Sequence, residues 1–284
     1  MSQISAAAVN ELRKRTDLPL MECKKALTEA GGDLDKAIDL LKTWNAKAAV
    51  KREGNETAEG RIGIAIDAAA QTAGIVELRC ESAPSAKADQ FIALATDIAR
   101  HVAKQDAADV PALLGQKLAA GTVKDRLDEV VGLIREKMVV QRFTRLTGGV
   151  FGQYVHHDGT LGVLIQCDGT KGDDEVLKDV CAHVAALNPL YTLVSDVPAD
   201  VIAKEKDVQM KQITEDPKNA GKPANIIEKI AEGKLKTWLA EGVLTEQPMA
   251  NTAKYPGKTV GQVLKGLGLT AKKVVRYKVG ATAV

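Results

Sequence analysis

The chain has 284 residues and a formal net charge of +2 at pH 7, and 3% of its residues are aromatic. This length is enough for about two or three domains. So small a net charge gives no strong attraction to nucleic acid or membranes, and so few aromatic residues argue against single-strand binding by base stacking. No apolar run approaches the roughly 20 residues of a membrane span, and the N-terminus lacks the apolar segment of a signal peptide. We therefore expect a cytoplasmic protein.

Residues 1–45 predict a module of three short helices. Thr16-Asp17 ends the first helix, and Pro19 suits the first turn of the second, where its missing N–H is tolerated. Gly31-Gly32 can adopt the positive φ of a C-terminal cap, and Asp33 is a favourable N-cap for the third helix. Three apolar stripes at helical spacing support this prediction: Ile4, Ala8, Val9 and Leu12; Leu20, Cys23, Leu27 and Ala30; and Leu34, Ala37, Ile38 and Leu41.

Met21 lies off the stripe of the second helix, beside the loop between the first two helices. An apolar side chain outside the core pattern can be an exposed contact for another protein. It can equally be a methionine that fills a gap in the core, and the spacing alone does not separate the two interpretations.

The next segment, 46–60, is rich in Ala, Lys, Glu and Gly, which predicts a flexible linker. Short apolar runs at 61–67 and 74–80 then predict a β-hairpin, and a helical stripe follows over 89–102. The same order returns with a second predicted hairpin, 150–155 and 161–167, and a helix after it.

Short identities shared by the two halves indicate an internal duplication. The shared features are a cysteine ending the second strand (Cys80 and Cys167), a His-Val-Ala run (from His101 and from His183) and an Asp-Val-Pro-Ala run (109–112 and 196–199). The offset from Cys80 to Cys167 is 87 positions. We expect two α+β core subdomains with antiparallel sheets, one at 61–147 and the other at 148–198 together with 242–284.

The stretch between the two parts of the second subdomain, 199–241, is charged and helical on both sides of a Pro- and Gly-containing break at 216–223. It predicts an inserted antiparallel helical hairpin. A short helix at 259–265 and a last strand at 273–279 follow. From Gln247 onward there are seven Lys or Arg and no acidic residue. This stretch could face an acidic partner or RNA, but a solvated basic strand edge is favoured.

No motif for covalent chemistry is found: the phosphate-binding loop, the nucleophile elbow and the zinc-binding helix are all missing from the sequence. His156-His157-Asp158 is interpreted as a polar turn, while His101 and His183 are interpreted as hydrogen-bonded core residues. The cysteines form no C-x-x-C pair, which predicts buried thiols in a reducing compartment. We therefore predict no catalytic residue, no metal and no cofactor.

The chain resembles elongation factor Ts over nearly its whole length. The family's motifs are matched in order by Thr16 with Met21–Leu27, Gly32-Asp33, Cys80, Leu161–Leu164, His183–Ala186, Gly221–Pro223, Leu244-Thr245 with Gln247-Pro248, and Lys258–Gln262. The resemblance implies an α+β fold whose N-terminal three-helix module is ubiquitin-associated-like. It also implies a guanine-nucleotide exchange factor that acts on elongation factor Tu in its GDP-bound and nucleotide-free forms, and that is not an enzyme.

By position, the resemblance also implies a set of contact residues for elongation factor Tu: Arg13, Leu20, Met21, Lys24, Leu161, Gly162 and His183, with the loop at Ala83 and Pro84. It implies no direct contact with nucleic acid or membrane, and it leaves a homodimer or a 2:2 complex with the partner as assemblies to be tested.

Two departures from the family pattern bear on exchange. After the first cysteine the family has Thr-Asp-Phe-Val-Ala-Lys, and its Asp-Phe pair intrudes beside the partner's magnesium site. Here Ala83 and Pro84 replace the carboxylate and the aromatic wedge. Many members also continue into another helical module after the last strand, whereas this sequence stops at Val284.

Two alternatives are kept beside the exchange factor. A divergent scaffold would bind elongation factor Tu with weak or no exchange, which the replaced wedge favours. A ubiquitin-associated-like module on an unrelated enzyme is disfavoured by the missing catalytic motifs.

Overall fold

The structure, a computed structural model, describes residues 4–16 and 18–281. The helices are α1 (Ala6–Thr16), α2 (Leu20–Glu29), α3 (Leu34–Lys51), α4 (Ala83–Ala86), α5 (Asp89–Lys104), α6 (Val110–Gly115), α7 (Val123–Ile134), α8 (Asp174–Leu187), α9 (Ala199–Glu215), α10 (Ala224–Gly242) and α11 (Val260–Gly266). The strands are β1 (Glu59–Asp67), β2 (Thr72–Cys80), β3 (Met138–Thr147), β4 (Val150–Val155), β5 (Leu161–Asp168) and β6 (Thr270–Lys278). The predicted α+β class is confirmed.

Helices α1 to α3 form the predicted N-terminal bundle around their own small core. Gly31 and Gly32 have φ values of 65° and 91°, and Oδ1 of Asp33 accepts bonds from two backbone N–H groups of α3, as predicted. Two details differ. Pro19 is the N-cap of α2 and not part of its first turn, and Leu20 is 45% exposed because the buried position belongs to Leu18, which is 3% exposed. The other predicted end residue of α1, Asp17, lies outside the described residues.

The predicted flexible linker at 46–60 is wrong in its first part, because α3 continues to Lys51. Ala and Lys favour helix, and α3 packs along α7 so closely that a Cβ added to Gly132 would lie 2.3 Å from the Asn45 side chain. Further along, Lys137 Nζ donates to the backbone oxygen of Asn55 over 2.7 Å. The module is therefore attached to the rest of the chain by packing as well as by the chain connection.

Two antiparallel three-stranded sheets follow: the first sheet has the order β1-β2-β3 and the second sheet β4-β5-β6. One face of the first sheet packs on α5, and one face of the second sheet packs on α8. The other two faces meet in a shared apolar layer that includes Ile62, Ile75, Phe151 and Leu164. The predicted hairpins and helices are found, and β6 begins at Thr270, three residues earlier than expected.

The helical hairpin α9–α10 lies where the first half has a short connection. In the first half, residues 113–115 join the Asp-Val-Pro-Ala run to Gln116. In the second half the equivalent run is joined to Gln247 by the hairpin. The equivalence of the two glutamines is structural, since Val123 N donates to Gln116 O and Val260 N donates to Gln247 O, each over 3.0 Å.

The hairpin buries few side chains. Ile213 is fully buried, whereas Val208 on the same helix is 46% exposed. The two helices pack mainly on one another, so that one side of each stays in solvent. Across the described ranges 4–16 and 18–281, no helix is both long enough and apolar enough to cross a membrane.

Candidate partner-binding surface

Leu20 and Met21 form an exposed apolar pair on the first turn of α2. Met21 is 69% exposed and Leu20 is 45% exposed, while Cys23, Ala26 and Leu27 on the same helix are fully buried. The structure therefore excludes the interpretation of Met21 as a core gap-filler. An apolar pair in solvent beside a loop is the kind of surface that another protein can cover.

Two cations flank this pair in the sequence, Arg13 on α1 and Lys24 on α2, and both side chains are exposed. Neither forms an ion pair with any residue of the described chain. Both charges are available for an acidic partner. They would add specificity and association rate more than affinity, as charges at the rim of an interface do.

The position of this surface relative to the sheets is held by an ion pair between Glu22 on α2 and Arg135. Arg135 ends α7 in the left-handed conformation, with φ of 65°. The pair is half exposed, so its own contribution to stability is small, on the order of 0–1 kcal/mol. Together with the packing of α3 on α7, it connects the N-terminal module to α7.

The turn after β2 is held by two carboxylates. Oε1 of Glu81 accepts bonds from Asn55 Nδ2 at 2.9 Å and from the backbone N–H of Lys137 at 2.5 Å. The carboxylate of Glu136 accepts bonds from both the N–H and the hydroxyl of Ser82. Burial raises the pKa of Glu136, but the hydrogen bonds from Ser82 and its neighbours outweigh that effect and leave the pKa below its ordinary value. The turn is thus anchored to the start of β3.

Ala83 and Pro84 are exposed at the start of α4, on this anchored turn. The turn presents a methyl group and a pyrrolidine ring, with no charge and little volume. Hydrogen bonds to Glu81 and Glu136 hold the backbone of this turn, and its two exposed side chains carry no charged group.

Leu161 and Gly162 begin β5, and the structure separates their roles. Leu161 is half-buried and packs partly against the core of the second sheet. Gly162 is buried, and a Cβ placed there would lie 2.4 Å from Cγ2 of Ile62 on β1. This glycine permits a close approach between the two sheets, so the prediction that it contacts a partner directly is not supported by its position.

His183 is also inside the molecule, at 2% exposure. Nδ1 accepts from the backbone N–H of Ala250 over 3.0 Å, which requires the proton to be on Nε2, where it is donated to Oε1 of Gln247 at 2.9 Å. Burial lowers the pKa of His183, while the bond to Gln247 opposes that shift. The ring is not accessible to a partner in this conformation, so its position does not support the predicted direct contact. The interpretation as a hydrogen-bonded core histidine is confirmed.

The residues next to Leu161, interpreted from the sequence as a polar turn, were not among the predicted contacts. His157 and Asp158 are exposed in the β4–β5 turn, where Asp158 Oδ1 accepts from the N–H and hydroxyl of Thr160 at 2.9 and 3.0 Å. This confirms a polar turn. Because β4 ends at Val155 and β5 begins at Leu161, this exposed turn lies directly beside the predicted contact at Leu161.

No group of three or more His, Cys, Asp or Glu side chains within 4–16 and 18–281 is arranged to hold a metal ion. All four cysteines are buried. Burial raises the pKa of the Cys80 and Cys167 thiols to about 12 and that of Cys181 further, so these three remain protonated at neutral pH.

Comparison with known proteins gives consistent results. A family model described as Elongation factor TS matches residues 85–281. A protein named Elongation factor Ts from Thiobacillus denitrificans is 41% identical over 281 residues, covering 99% of this chain and 93% of the relative. Relatives with the same name from Thioalkalivibrio sulfidiphilus and Lactiplantibacillus plantarum are each 39% identical and cover 98% and 99% of this chain. The chain belongs to the elongation factor Ts family.

Proposed function

We propose that this chain is a translation elongation factor that promotes GDP release from elongation factor Tu by stabilising the nucleotide-free form of that protein. The observation that carries the proposal is the full-length membership in the elongation factor Ts family. The exposed Leu20–Met21 pair on a module fixed to the sheets is consistent with an activity that depends on contact.

The activity requires no bond-making chemistry. If the chain binds the nucleotide-free partner more tightly than the GDP-bound partner, then by linkage it weakens GDP binding by the same factor. The chain must therefore distinguish two states of its partner by contacts alone. This agrees with protonated, buried thiols and with the hydrogen-bonded histidine at position 183.

Within this function, we assign the main contact to Leu20 and Met21, assisted by Arg13 and Lys24. Leu161 and the adjoining turn form a second contact region on the second sheet. Ala83 and Pro84 lie close to the partner but contribute little to displacing magnesium. Gly162 and His183 act from inside the fold, by allowing or holding the positions of neighbouring groups.

The chain acts in the cytoplasm, without a cofactor and without direct contact to nucleic acid or membrane. The basic stretch after Gln247 agrees with this, because Lys254 pairs with Glu175 and Asp179, and Lys272 pairs with Asp168, leaving less free charge for RNA. A homodimer or a 2:2 complex with elongation factor Tu is the assembly to be tested.

The deciding experiment is stopped-flow release of a fluorescent GDP analogue from elongation factor Tu, with increasing amounts of the chain. We expect the release rate to rise and then saturate. Binding is measured separately by calorimetry with the same partner. Saturated binding with an unchanged release rate would leave the scaffold as the function, and no binding would reject both.

A further inference from the structure

Glu77 is a charged residue in the middle of β2 whose side chain is fully buried between the two sheets. Alternation along β2 places Val76, Leu78 and Cys80 against the helices, and Ile75 against the second sheet. Glu77 therefore lies on the face that packs against the second sheet, where an apolar residue would be expected. A buried carboxylate is costly unless it is paired and hydrogen-bonded.

The carboxylate of Glu77 has partners in the first sheet and in the segment that follows β6 of the second sheet. Oε1 accepts from Arg79 Nε at 2.7 Å and from the backbone N–H of Gly280 at 3.2 Å, and Oε2 accepts from Arg142 Nε at 2.7 Å. Arg142 in turn donates to the backbone oxygen of Lys278 at 3.3 Å. Glu77, Arg79 and Arg142, hereafter the Glu77 cluster, thus join β2 and β3 of the first sheet to the end of β6 in the second.

Two further contacts reinforce this connection. The guanidinium carbon of Arg142 lies 4.3 Å from the centre of the Tyr277 ring, and the Tyr277 hydroxyl shares a 2.7 Å hydrogen bond with Thr144 on β3. These interactions are directional, unlike the apolar contacts elsewhere between the sheets. They are satisfied in one relative placement of the two sheets and lost when one sheet slides on the other.

The Glu77 cluster lies beside the β4–β5 turn. On the neighbouring strand β1, the residue paired with Glu77 is Ile62. The N–H of Ile62 donates to Gly159 O in that turn over 2.8 Å. The residue before Gly280 is Val279, whose N–H donates to Thr160 O over 2.8 Å. The β4–β5 turn is therefore held by two segments that both adjoin Glu77. One is β1, which pairs with β2 at Glu77, and the other is the segment after β6, whose Gly280 N–H bonds to Glu77.

We propose that Glu77 is a positioning residue for nucleotide exchange, which holds the β4–β5 turn in a fixed relation to the first sheet and to the N-terminal module attached to it. This inference rests on the proposed function. The module and the turn belong to different halves of the molecule, so both reach one partner only if the sheets keep their relative placement. The carboxylate supplies the link that sets it.

The first test is Glu77→Gln, which keeps the shape and removes the charge. Spin labels on Lys104→Cys and Lys178→Cys, exposed on α5 and α8, report the distance between the halves by double electron–electron resonance; the native cysteines are buried. We expect a broader distance distribution. We also expect the GDP release rate at saturating factor to fall to about one fifth of the wild-type rate or below. Thermal melting and circular dichroism establish that the variant is folded.

A second variant separates positioning from stability. Glu77→Leu combined with Arg79→Met and Arg142→Met replaces the buried ions by apolar residues, a change that is often neutral or stabilising. The proposal expects this triple variant to be folded and yet to show the broadened distances and the slower release. A control, Asp179→Asn, removes a carboxylate that bonds Lys254 and Tyr255 within the second half and does not bridge the sheets. It should leave both readouts unchanged.

Wild-type distances and wild-type release in the folded triple variant would overturn the proposal, whatever happens to Glu77→Gln. Broadened distances with unchanged release would also overturn it, because the placement of the sheets would then not matter for exchange. If the wild-type chain itself does not accelerate GDP release, the proposed function fails. That outcome is recognised from the unmutated protein and is distinct from the two above.

Discussion

His183 and Gln247 form a buried pair in which Nε2 of the histidine donates to Oε1 of the glutamine across 2.9 Å. The Gln247 amide nitrogen then donates to Glu241 O in the last turn of α10, over 3.0 Å. The equivalent pair in the first half, His101 and Gln116, has nitrogen and oxygen 2.8 Å apart. The histidine thus secures the point where the chain returns from the helical hairpin to the second sheet.

We predict that His183→Ala destabilises the fold and slows GDP release. It leaves the Gln247 carbonyl and the Ala250 N–H without their partner, and each unsatisfied buried group costs about 1–3 kcal/mol. Denaturant unfolding measures the loss of stability, and stopped-flow release measures the loss of exchange. His101→Ala is the matched control, because it breaks the equivalent pair far from the hairpin. Equal slowing by both variants would show a general loss of stability and no specific role for the hairpin root.

The histidine also predicts a pH dependence of stability. Burial holds the folded-state pKa of His183 below the ordinary value of 6.5. The unfolded chain therefore binds the proton more readily, so the stabilisation is complete above pH 6.5 and is lost as pH falls toward the folded-state pKa. We expect the free energy of unfolding of the wild type, measured relative to His183→Gln, to decrease between about pH 7 and pH 5. If the difference in free energy of unfolding between the wild type and His183→Gln stays constant over that interval, the lowered pKa of His183 is contradicted.

Local signals in the sequence were sufficient for most elements of the fold. The caps at Gly31-Gly32 and Asp33, the two hairpins and the break between α9 and α10 all depend on residues close together in the chain. The presence of two similar α+β halves followed from short identities that recur about 87 positions apart. The end of α3 was missed because it depends on packing against Gly132 on α7, which lies far away in the sequence.

The residues of the candidate site could be predicted from the sequence less completely than the fold. Met21 could be singled out because it breaks a helical stripe, although only the structure decides that it is exposed. Gly162 and His183 were assigned as contacts by position in the family, and their burial depends on Ile62 and Gln247, residues remote in sequence. Glu77 gave no signal, because a glutamate in an alternating strand is usually taken to face solvent.

Met21→Asp should weaken binding to elongation factor Tu while leaving the fold intact. The side chain is 69% exposed, so the new carboxylate remains hydrated in the free chain. In the complex it would be placed in an apolar contact, at a cost of about 2 kcal/mol or more, which is roughly a thirtyfold loss of affinity. Calorimetric titration measures the affinity, and thermal melting should show little change.

Val50→Asp is the matched control for this variant. Val50 is 62% exposed, near the end of α3 and away from the first turn of α2. The same change of an exposed apolar side chain to a carboxylate should leave affinity unchanged there. Equal losses from both variants would point to a general charge effect, and the specific contact at Met21 would then be rejected.

Pro84→Ala should change the GDP release rate only slightly. The turn is anchored by Glu81, Ser82 and Glu136, none of which depends on the proline ring. Pro84 is exposed, so removing the ring creates no cavity. The measurement is stopped-flow release at saturating factor, with circular dichroism to confirm the fold. A large loss of rate in a folded variant would show that this turn displaces the partner's groups by its rigidity.

The double variant Ala83→Asp with Pro84→Phe tests the same turn in the opposite direction. It introduces the carboxylate and the aromatic ring of the family pattern at two exposed positions. The bonds that Ser82 donates to Glu136 should keep the backbone of the turn in place. Because charge and volume are then added beside the partner, we expect GDP release to become faster. Ala83→Asn with Pro84→Phe is the control for charge, since it supplies the ring without the carboxylate. If neither variant exceeds the wild-type rate while both bind the partner normally, the Leu20–Met21 surface and the β4–β5 turn supply the exchange free energy without this turn.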